Sequence, residues 1–339
     1  MNGEQPGLLE GAIPPETNTA LFGHDTAQNF LANAYRSGRM HHAILIEGAE
    51  GIGKATLAYR FAHHVLSHPD PLNAPDHIAD PDPSDTVSRQ IAGGASHNVL
   101  HLARPVDEKT GKVKSVITVD EVRRAGKFFT QTSGTGNWRI AIIDPADDLN
   151  RNAANAILKI LEEPPKRSLF LVLSHTPGRL LPTIRSRCLS LRLHPLSPAD
   201  LDRALAHLGA AAGETDSIVE LSEGSVARAL LLRNYGGVDI AEAFVDILER
   251  GRLNDREPIY KLAETLAARD RDVAYQFFTE LAVDRTQAMA RDAGATGDLI
   301  EADRLARLAS ALKEHFATAA AYNLDRKQTV LHAFSLFFG

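Results

Sequence analysis

"EGAEGIGKAT", residues 47–56, is the stretch that decides how the rest of this sequence is interpreted. Three glycines at positions 48, 51 and 53 precede Lys54, which fits the pattern G-x-x-x-x-G-K-[S/T] up to its last position. Glycines in this arrangement (Gly48, Gly51, Gly53) let backbone N–H groups turn inward around phosphate oxygens, and the lysine extends to the terminal phosphates. The stretch therefore predicts a strand-to-helix turn derived from a phosphate-binding loop.

The last position of the pattern departs from it. Ala55 stands where a serine or threonine hydroxyl would bind Mg²⁺, and Thr56, one position later, points from a different side of the helix. The glycines and Lys54 still offer the groups that cradle phosphates. The sequence leaves open whether this degenerate site holds ATP or ADP.

Strand and helix patterns alternate through the first half of the chain. Short apolar runs predict buried strands at 43–46, 139–144 and 169–173, with helical patterns between them. This alternation predicts an α/β domain in which a parallel sheet is flanked by helices. From about residue 195 onward we find helical patterns only.

We therefore divide the chain into three domains. They are an α/β nucleotide-binding-like domain (1–194), a small helical lid (195–236) and a helical C-terminal domain (237–339). Residues 69–87 contain five prolines and many aspartates, and they predict an extended surface insertion with no core of its own.

The second predicted strand ends in "DPADDLN", residues 144–150. Asp144 is suited to orient a metal ion, but the next residue is Pro145, where ATPases of the AAA+ class carry a glutamate that activates water. Loss of a positioned base costs roughly 10²–10⁴ in rate. Asp147 and Asp148 are expected to cap the helix that begins near Asn150.

Composition limits the classes of function. The net charge of −6 argues against a general nucleic-acid-binding chain. One cysteine excludes an internal disulfide and any four-cysteine zinc module. His64 and His68 are four residues apart, but a solvated helix end explains them better than a metal site. Without a membrane-length apolar run or a signal peptide, we expect a soluble cytoplasmic protein with no metal.

A basic stretch, "PGRLLPTIRSRCLSLR" (177–192), follows the third predicted strand and has four arginines and no acid. Taken alone, it is typical of a basic surface loop. The triplet Ser186-Arg187-Cys188 within it favours a more specific role. For Cys188 a packing role is expected, because no base is identifiable that would make it a nucleophile.

Four stretches together carry a family resemblance, at 40–58, 153–165, 181–188 and 323–334. They read "MHHAILIEGAEGIGKATLA", "AANAILKILEEPP", "LPTIRSRC" and "NLDRKQTVLHAF". With them the chain resembles the delta prime subunits of bacterial DNA polymerase III clamp loaders, which belong to the AAA+ family. The resemblance covers nearly the whole length, and the Ser-Arg-Cys triplet in this context is specific to clamp loader subunits.

The resemblance implies a role for each part of the chain. Arg187, with Ser186 and Cys188 completing the motif, would be an arginine finger inserted into the ATP site of a neighbouring subunit. The C-terminal domain would join a collar with the gamma/tau and delta subunits. The assembled ring would load the sliding clamp on primer–template DNA during DNA replication. Many relatives carry a four-cysteine zinc module after the phosphate-loop helix, whereas this chain has the 69–87 insertion, so no zinc is expected.

Two nucleotide-sensing positions of the family also have counterparts here. Ser174, in "LSHT", fits the polar position at the end of the third strand. In "EGSVARAL" the position of the lid arginine is Ala227, with Arg228 one residue later, so this sensor is expected to be lost.

Three interpretations remain open on the sequence alone. The first is a ring member that hydrolyses no ATP itself. The second is an active gamma/tau-like ATPase, which Ala55 and Pro145 oppose. The third is an unrelated phosphate-loop regulator, which the ending "NLDRKQTVLHAF" opposes.

Overall fold

The computed structural model describes residues 8–107, 111, 113–130, 136–211, 216–250 and 256–338. Contacts group the chain into two compact units, residues 1–228 and residues 229–339. The three domains expected from the sequence stay a prediction. In the described ranges, no helix combines the length and apolar character that crossing a membrane requires.

The first unit is built on a five-stranded sheet in which every pair of neighbours is parallel. Its strands are β1 (Ala43–Glu47), β2 (Val99–Leu102), β3 (Arg139–Ile143), β4 (Ser168–Ser174) and β5 (Leu189–Arg192). The spatial order is β2-β3-β4-β1-β5. The parallel α/β sheet expected from the sequence is confirmed, and β1, β3 and β4 lie at the three predicted runs.

Alternate residues of the central strands pack on opposite faces of the sheet. Along β1, for example, Ile44 and Ile46 belong to one core cluster, whereas Ala43 and Leu45 belong to another. A strand that is covered on both faces of the sheet buries successive side chains, so nearly all of its residues must be apolar. This explains why the three inner strands are visible in the sequence as apolar runs.

Helices cover both faces of this sheet. Those that begin in the first unit are α1 (Asp25–Arg36), α2 (Lys54–Ser67), α3 (Thr86–Ala92), α4 (Val119–Thr130), α5 (Arg151–Glu162), α6 (Pro182–Arg185), α7 (Pro198–His207), α8 (Asp216–Leu221) and α9 (Val226–Asn234). The inner face of α2 carries Leu57, Phe61 and Val65, which are spaced four residues apart and are fully buried. The cluster on the other face includes side chains of α4 and α5.

The 69–87 insertion is more closely attached than the sequence indicates. Ala74 and Ile78 are buried in the core cluster of the α2 face, so the insertion contributes to that core. The Asp80 carboxylate is 2.6 Å from a guanidinium nitrogen of Arg60, which is itself buried. The insertion is mostly exposed and has no core of its own, as the sequence predicts, but two of its side chains join the core cluster of the α2 face.

The prediction that His64 and His68 lie at a solvated helix end is wrong for His64. Its side chain is buried between the rings of Tyr35 and Phe61. Burial lowers the pKa of His64 to about 4. His68 caps the helix, and its Nδ1 lies 2.9 Å from the His64 carbonyl oxygen.

The second unit contains helices only, as far as it is described. They are α10 (Gly237–Arg250), α11 (Glu257–Ala267), α12 (Asp272–Ala295), α13 (Leu299–Tyr322) and α14 (Arg326–Phe338). Fully buried Phe244 lies at the centre of an aromatic cluster, with Phe278, Phe334 and Phe337 at ring-centroid distances of 5.7 to 5.9 Å. This cluster packs α10, α12 and α14 together.

Candidate nucleotide site and arginine finger

The glycine loop joins β1 to α2, as the sequence predicts. Gly51 has φ +73°, in the region that favours glycine, and its carbonyl and Cα lie against residues 225–227, which we call the lid segment. A Cβ added to Gly48 would lie 2.7 Å from the carbonyl oxygen of Leu193. The loop is thus enclosed by backbone on two sides, and only glycine fits at these positions.

Lys54 is turned back onto the loop. Its ammonium donates hydrogen bonds to the carbonyl oxygens of Gly48 at 2.8 Å and Ala49 at 2.5 Å, and its side chain is only 4% exposed. Burial lowers the pKa of Lys54 to about 8, and the carboxylates of Asp144 and Glu50 oppose part of that shift. The cation that would meet a phosphate is held here by the loop's own carbonyl groups.

The lid segment is hydrogen-bonded directly to the loop. The Ser225 hydroxyl donates to the Glu50 carbonyl at 2.8 Å, and the Val226 N–H donates to the Gly51 carbonyl at 2.9 Å. On another side, Nε2 of His24 is 2.7 Å from the carbonyl oxygen of Ile52. None of these contacts is visible in the sequence, because they join residues that are 28 to 175 positions apart.

Replacing Gly51 with alanine is expected to destabilise this junction. The new Cβ would lie 2.6 Å from the Ser225 hydroxyl and 2.9 Å from the Ala227 nitrogen, at a φ that disfavours a side chain. We expect roughly 1–2 kcal/mol from the left-handed backbone and about 1–3 kcal/mol more from overpacking. Urea denaturation of the purified variant measures the sum.

Gly38 provides a matched control for that experiment. Its φ is +67°, and nothing lies within 4 Å of an added Cβ. Gly38→Ala should therefore show the backbone cost alone. If the two variants lose the same free energy of unfolding, the lid segment does not press on the loop.

The position of the expected Mg²⁺ ligand offers no oxygen. Ala55, the second residue of α2, presents a methyl group and packs partly into the core. The Thr56 side chain is buried, with 8% exposure. Since Lys54 is also bonded to loop carbonyls, the side chains present do not fit a Mg²⁺–nucleotide in this arrangement.

Asp144 follows β3 and lies near Lys54. Burial raises the pKa of Asp144, while His101, His175 and Lys54 oppose the shift. Pro145, the next residue, offers no proton acceptor. The Nδ1 atom of His175 is buried and has no hydrogen-bond partner among the residues that the structure describes. This histidine was not predicted as a site residue, since "LSHT" gives no signal beyond polar residues after a strand.

The expectation that Asp147 and Asp148 cap the following helix is wrong. Asn150 caps α5 with its own side chain, which accepts from the Ala153 N–H at 2.8 Å. Asp147 instead accepts from the Ser174 hydroxyl at 2.9 Å and from the His175 N–H at 2.6 Å.

Ser174, the proposed sensor, is fully buried and bonded to Asp147. The Asp148 carboxylate lies 3.2 Å from Arg104. Asp147 and Ser174 thus tie the end of β4 to the turn after β3.

Ala227 lies directly against the loop, because its N–H is 3.4 Å from the Gly51 carbonyl oxygen. Its small side chain presents no charge there. Arg228 pairs instead with Glu223 at 3.5 Å. Across the described ranges, no group of three His, Cys, Asp or Glu side chains is arranged to hold a metal ion.

Arg187 lies on the turn after α6, away from its own glycine loop in sequence and contacts. One terminal nitrogen is 2.6 Å from Oε1 of Glu162, and the other donates to the Thr183 carbonyl at 3.0 Å. The Arg187 side chain is 34% exposed. Ser186 bonds the same carbonyl at 3.1 Å.

Cys188 packs against the core cluster of the α4 and α5 face, and burial raises the pKa of its thiol to about 11. A thiol in this state is a poor nucleophile. Its packing holds one side of the turn that carries Arg187.

The parallel sheet, the glycine loop after β1 and the helix that follows this loop together define an α/β fold of the phosphate-loop class. A family model described as "DNA polymerase III, delta subunit" matches residues 23–197, a little more than half of the chain. The chain therefore belongs to this DNA polymerase III family.

Individual relatives are similar to the chain over about the same region. DNA polymerase III subunit delta' of Pseudomonas aeruginosa is 34% identical over 58% of this chain and 56% of its own length. DNA polymerase III subunit tau of Escherichia coli is 28% identical over 57% of this chain and 28% of its own. The chain thus spans little more than half the length of the delta' relative.

A solved structure of a DNA polymerase III gamma subunit-related protein from Thermotoga maritima shares the fold. Its TM-score is 0.51 at 16% identity, and the match covers 92% of this chain and 98% of that one. The fold and family are established by these comparisons, which name delta', gamma and tau proteins alike.

Proposed function

We propose that this chain is a delta prime subunit of a DNA polymerase III clamp loader, and that it hydrolyses no ATP itself. In the cytoplasm it would form a ring with gamma/tau and delta subunits, joined through its C-terminal helices. Its Arg187 would enter the ATP site of a neighbouring subunit as an arginine finger. The assembly would load the sliding clamp on primer–template DNA.

One observation carries the non-hydrolysing role. The candidate nucleotide site lacks a Mg²⁺ ligand at Ala55 and, after β3, a base at Pro145, while Lys54 is bonded to the carbonyl groups of the glycine loop. These are defects in metal binding, water activation and phosphate contact, the three functions that phosphoryl transfer needs. A chain that keeps the glycine loop but lacks these three functions keeps the loop for a structural role.

Support for the finger comes from Arg187. A guanidinium stays charged and presents a planar fork that spans two phosphoryl oxygens. Arg187 keeps a third of its side chain exposed on a turn that is fixed from behind by Ile184 and Cys188. Such an arginine is suited to act on a nucleotide bound by another chain.

An ATPase assay on the purified chain tests the proposal. We expect no turnover above background, with or without clamp and primed DNA, and restored turnover once gamma/tau and delta subunits are added. A tau subunit preparation assayed alongside serves as the positive control. Turnover by the chain alone would contradict the proposal.

ATP turnover by the purified chain alone would favour an active gamma/tau-like ATPase. The observations that keep this alternative are the retained glycines with Lys54 and the similarity to tau. Under the alternative, Lys54 would exchange its two carbonyl partners for phosphate oxygens. Nucleotide titration with and without Mg²⁺ distinguishes the two functions, since Ala55 predicts that any binding of ATP or ADP is independent of Mg²⁺.

A further inference from the structure

The guanidinium of Arg187 is held between two separate elements. Glu162, the last residue of α5, binds one terminal nitrogen at 2.6 Å, and the Thr183 carbonyl of α6 binds the other at 3.0 Å. Two bonds from different directions fix the plane of the group as well as its position. Of its five N–H donors, three have no partner in the part of the chain that the structure describes.

Other arginines of the same stretch are not held in this way. Arg179, Arg185 and Arg192 are all exposed, and none forms an ion pair with an acid among the described residues. Of the four arginines between 177 and 192, one is therefore paired with an acidic side chain, that of Glu162. That arginine is the one in the Ser-Arg-Cys triplet.

Stability does not explain the pair. Its side chains are 34% and 48% exposed, and pairs of this kind contribute about 0–1 kcal/mol because water and salt screen them. What the pair does supply is orientation. An arginine side chain has many rotamers, and fixing them beforehand removes an entropy loss from the step in which it meets a ligand.

We propose that Glu162 is a positioning residue for Arg187. It holds the guanidinium in one orientation, so that the free N–H donors meet the terminal phosphate of a nucleoside triphosphate bound by the neighbouring subunit. This inference rests on the proposed arginine-finger function. The end of α5 would then contribute, through Arg187, to ATP hydrolysis in the neighbouring subunit.

Glu163 provides a matched control. It is the next residue, it is exposed, and it forms no ion pair with Arg187. Glu163→Ala removes the same charge and the same side-chain length one position away. It should leave the ATPase of the assembly unchanged.

The experiment uses the full chain assembled with gamma/tau, delta, clamp and primed DNA, and it measures steady-state ATPase. Glu162→Ala is expected to lower kcat about ten- to a hundredfold, the cost of misplacing a group by about an ångström, with KM for ATP unchanged. Glu162→Gln keeps an oxygen acceptor and should lose less. Thermal unfolding and gel filtration check that each variant folds and assembles.

The double variant Glu162→Ala, Arg187→Ala separates the two proposals. Glu162 acts only through Arg187, so the double variant should be no slower than Arg187→Ala alone. Equal activity of Glu162→Ala and the parent, a faster rate, or losses that multiply in the double variant would overturn the positioning role. An unchanged rate for Arg187→Ala would instead overturn the finger itself.

Discussion

Under the proposed arginine-finger role, replacing Arg187 with alanine is expected to slow ATP hydrolysis at the neighbouring subunit's site by about 10³-fold or more. The reason is that a fixed guanidinium stabilises charge on the phosphoryl oxygens only as the transition state forms. Assembly should persist, because the side chain is partly exposed and carries little of the core. Single-turnover phosphate release from the assembled ring measures the effect as a lost fast phase.

Arg185→Ala is the control for that experiment. Arg185 is exposed two residues earlier, at the end of α6, and it lacks the bond to Glu162. Its loss removes the same charge from the same basic stretch. A rate that falls equally in both variants would mean that overall positive charge matters and that Arg187 has no special place.

Phe244→Ala is expected to cause a large loss of stability in the C-terminal helices. Phe244 is fully buried, and the rings of Phe278, Phe334 and Phe337 surround it within 5.9 Å. Removing a buried phenyl ring costs about 3–5 kcal/mol, since transfer free energy and the remaining cavity add. Urea denaturation followed by far-ultraviolet circular dichroism, which reports on helix, checks this value.

Ile300→Ala tests whether that loss comes from burial. Ile300 lies near the start of α13 in the same unit, and its side chain is 86% exposed. The free energy of unfolding of the Ile300→Ala variant should differ from that of the parent by less than about 0.5 kcal/mol. If Phe244→Ala were equally mild, the aromatic cluster would not be the centre of the C-terminal helices.

The sequence is sufficient to predict the inner strands of the sheet but not its edges. Strands β1, β3 and β4 have nearly every side chain buried, so their apolar runs are continuous. Strands β2 and β5 lie at the two edges and have only four residues each, most of them half-buried or exposed. Edge strands need few apolar residues, and "LSLR" of β5 therefore resembles a polar loop.

For the candidate site, the sequence supplies the residue types and the structure supplies their partners. Ala55 and Pro145 are visible as departures from a pattern, and the Ser-Arg-Cys triplet stands out by its context. The bonds Arg187–Glu162, Ser174–Asp147 and Ser225–Glu50 join residues 25, 27 and 175 positions apart. No local periodicity encodes such pairs, because they depend on how the elements pack.

The carbonyl contacts of Lys54 have a thermodynamic consequence. A ligand stabilises a folded protein through its net binding free energy. This net value is small when a binding group must first give up hydrogen bonds that it makes within the protein. Here the ammonium has two carbonyl partners before any phosphate arrives, and the lid segment is bonded to the loop as well. We therefore expect the free energy of unfolding of this chain to depend little on the concentration of ATP or ADP.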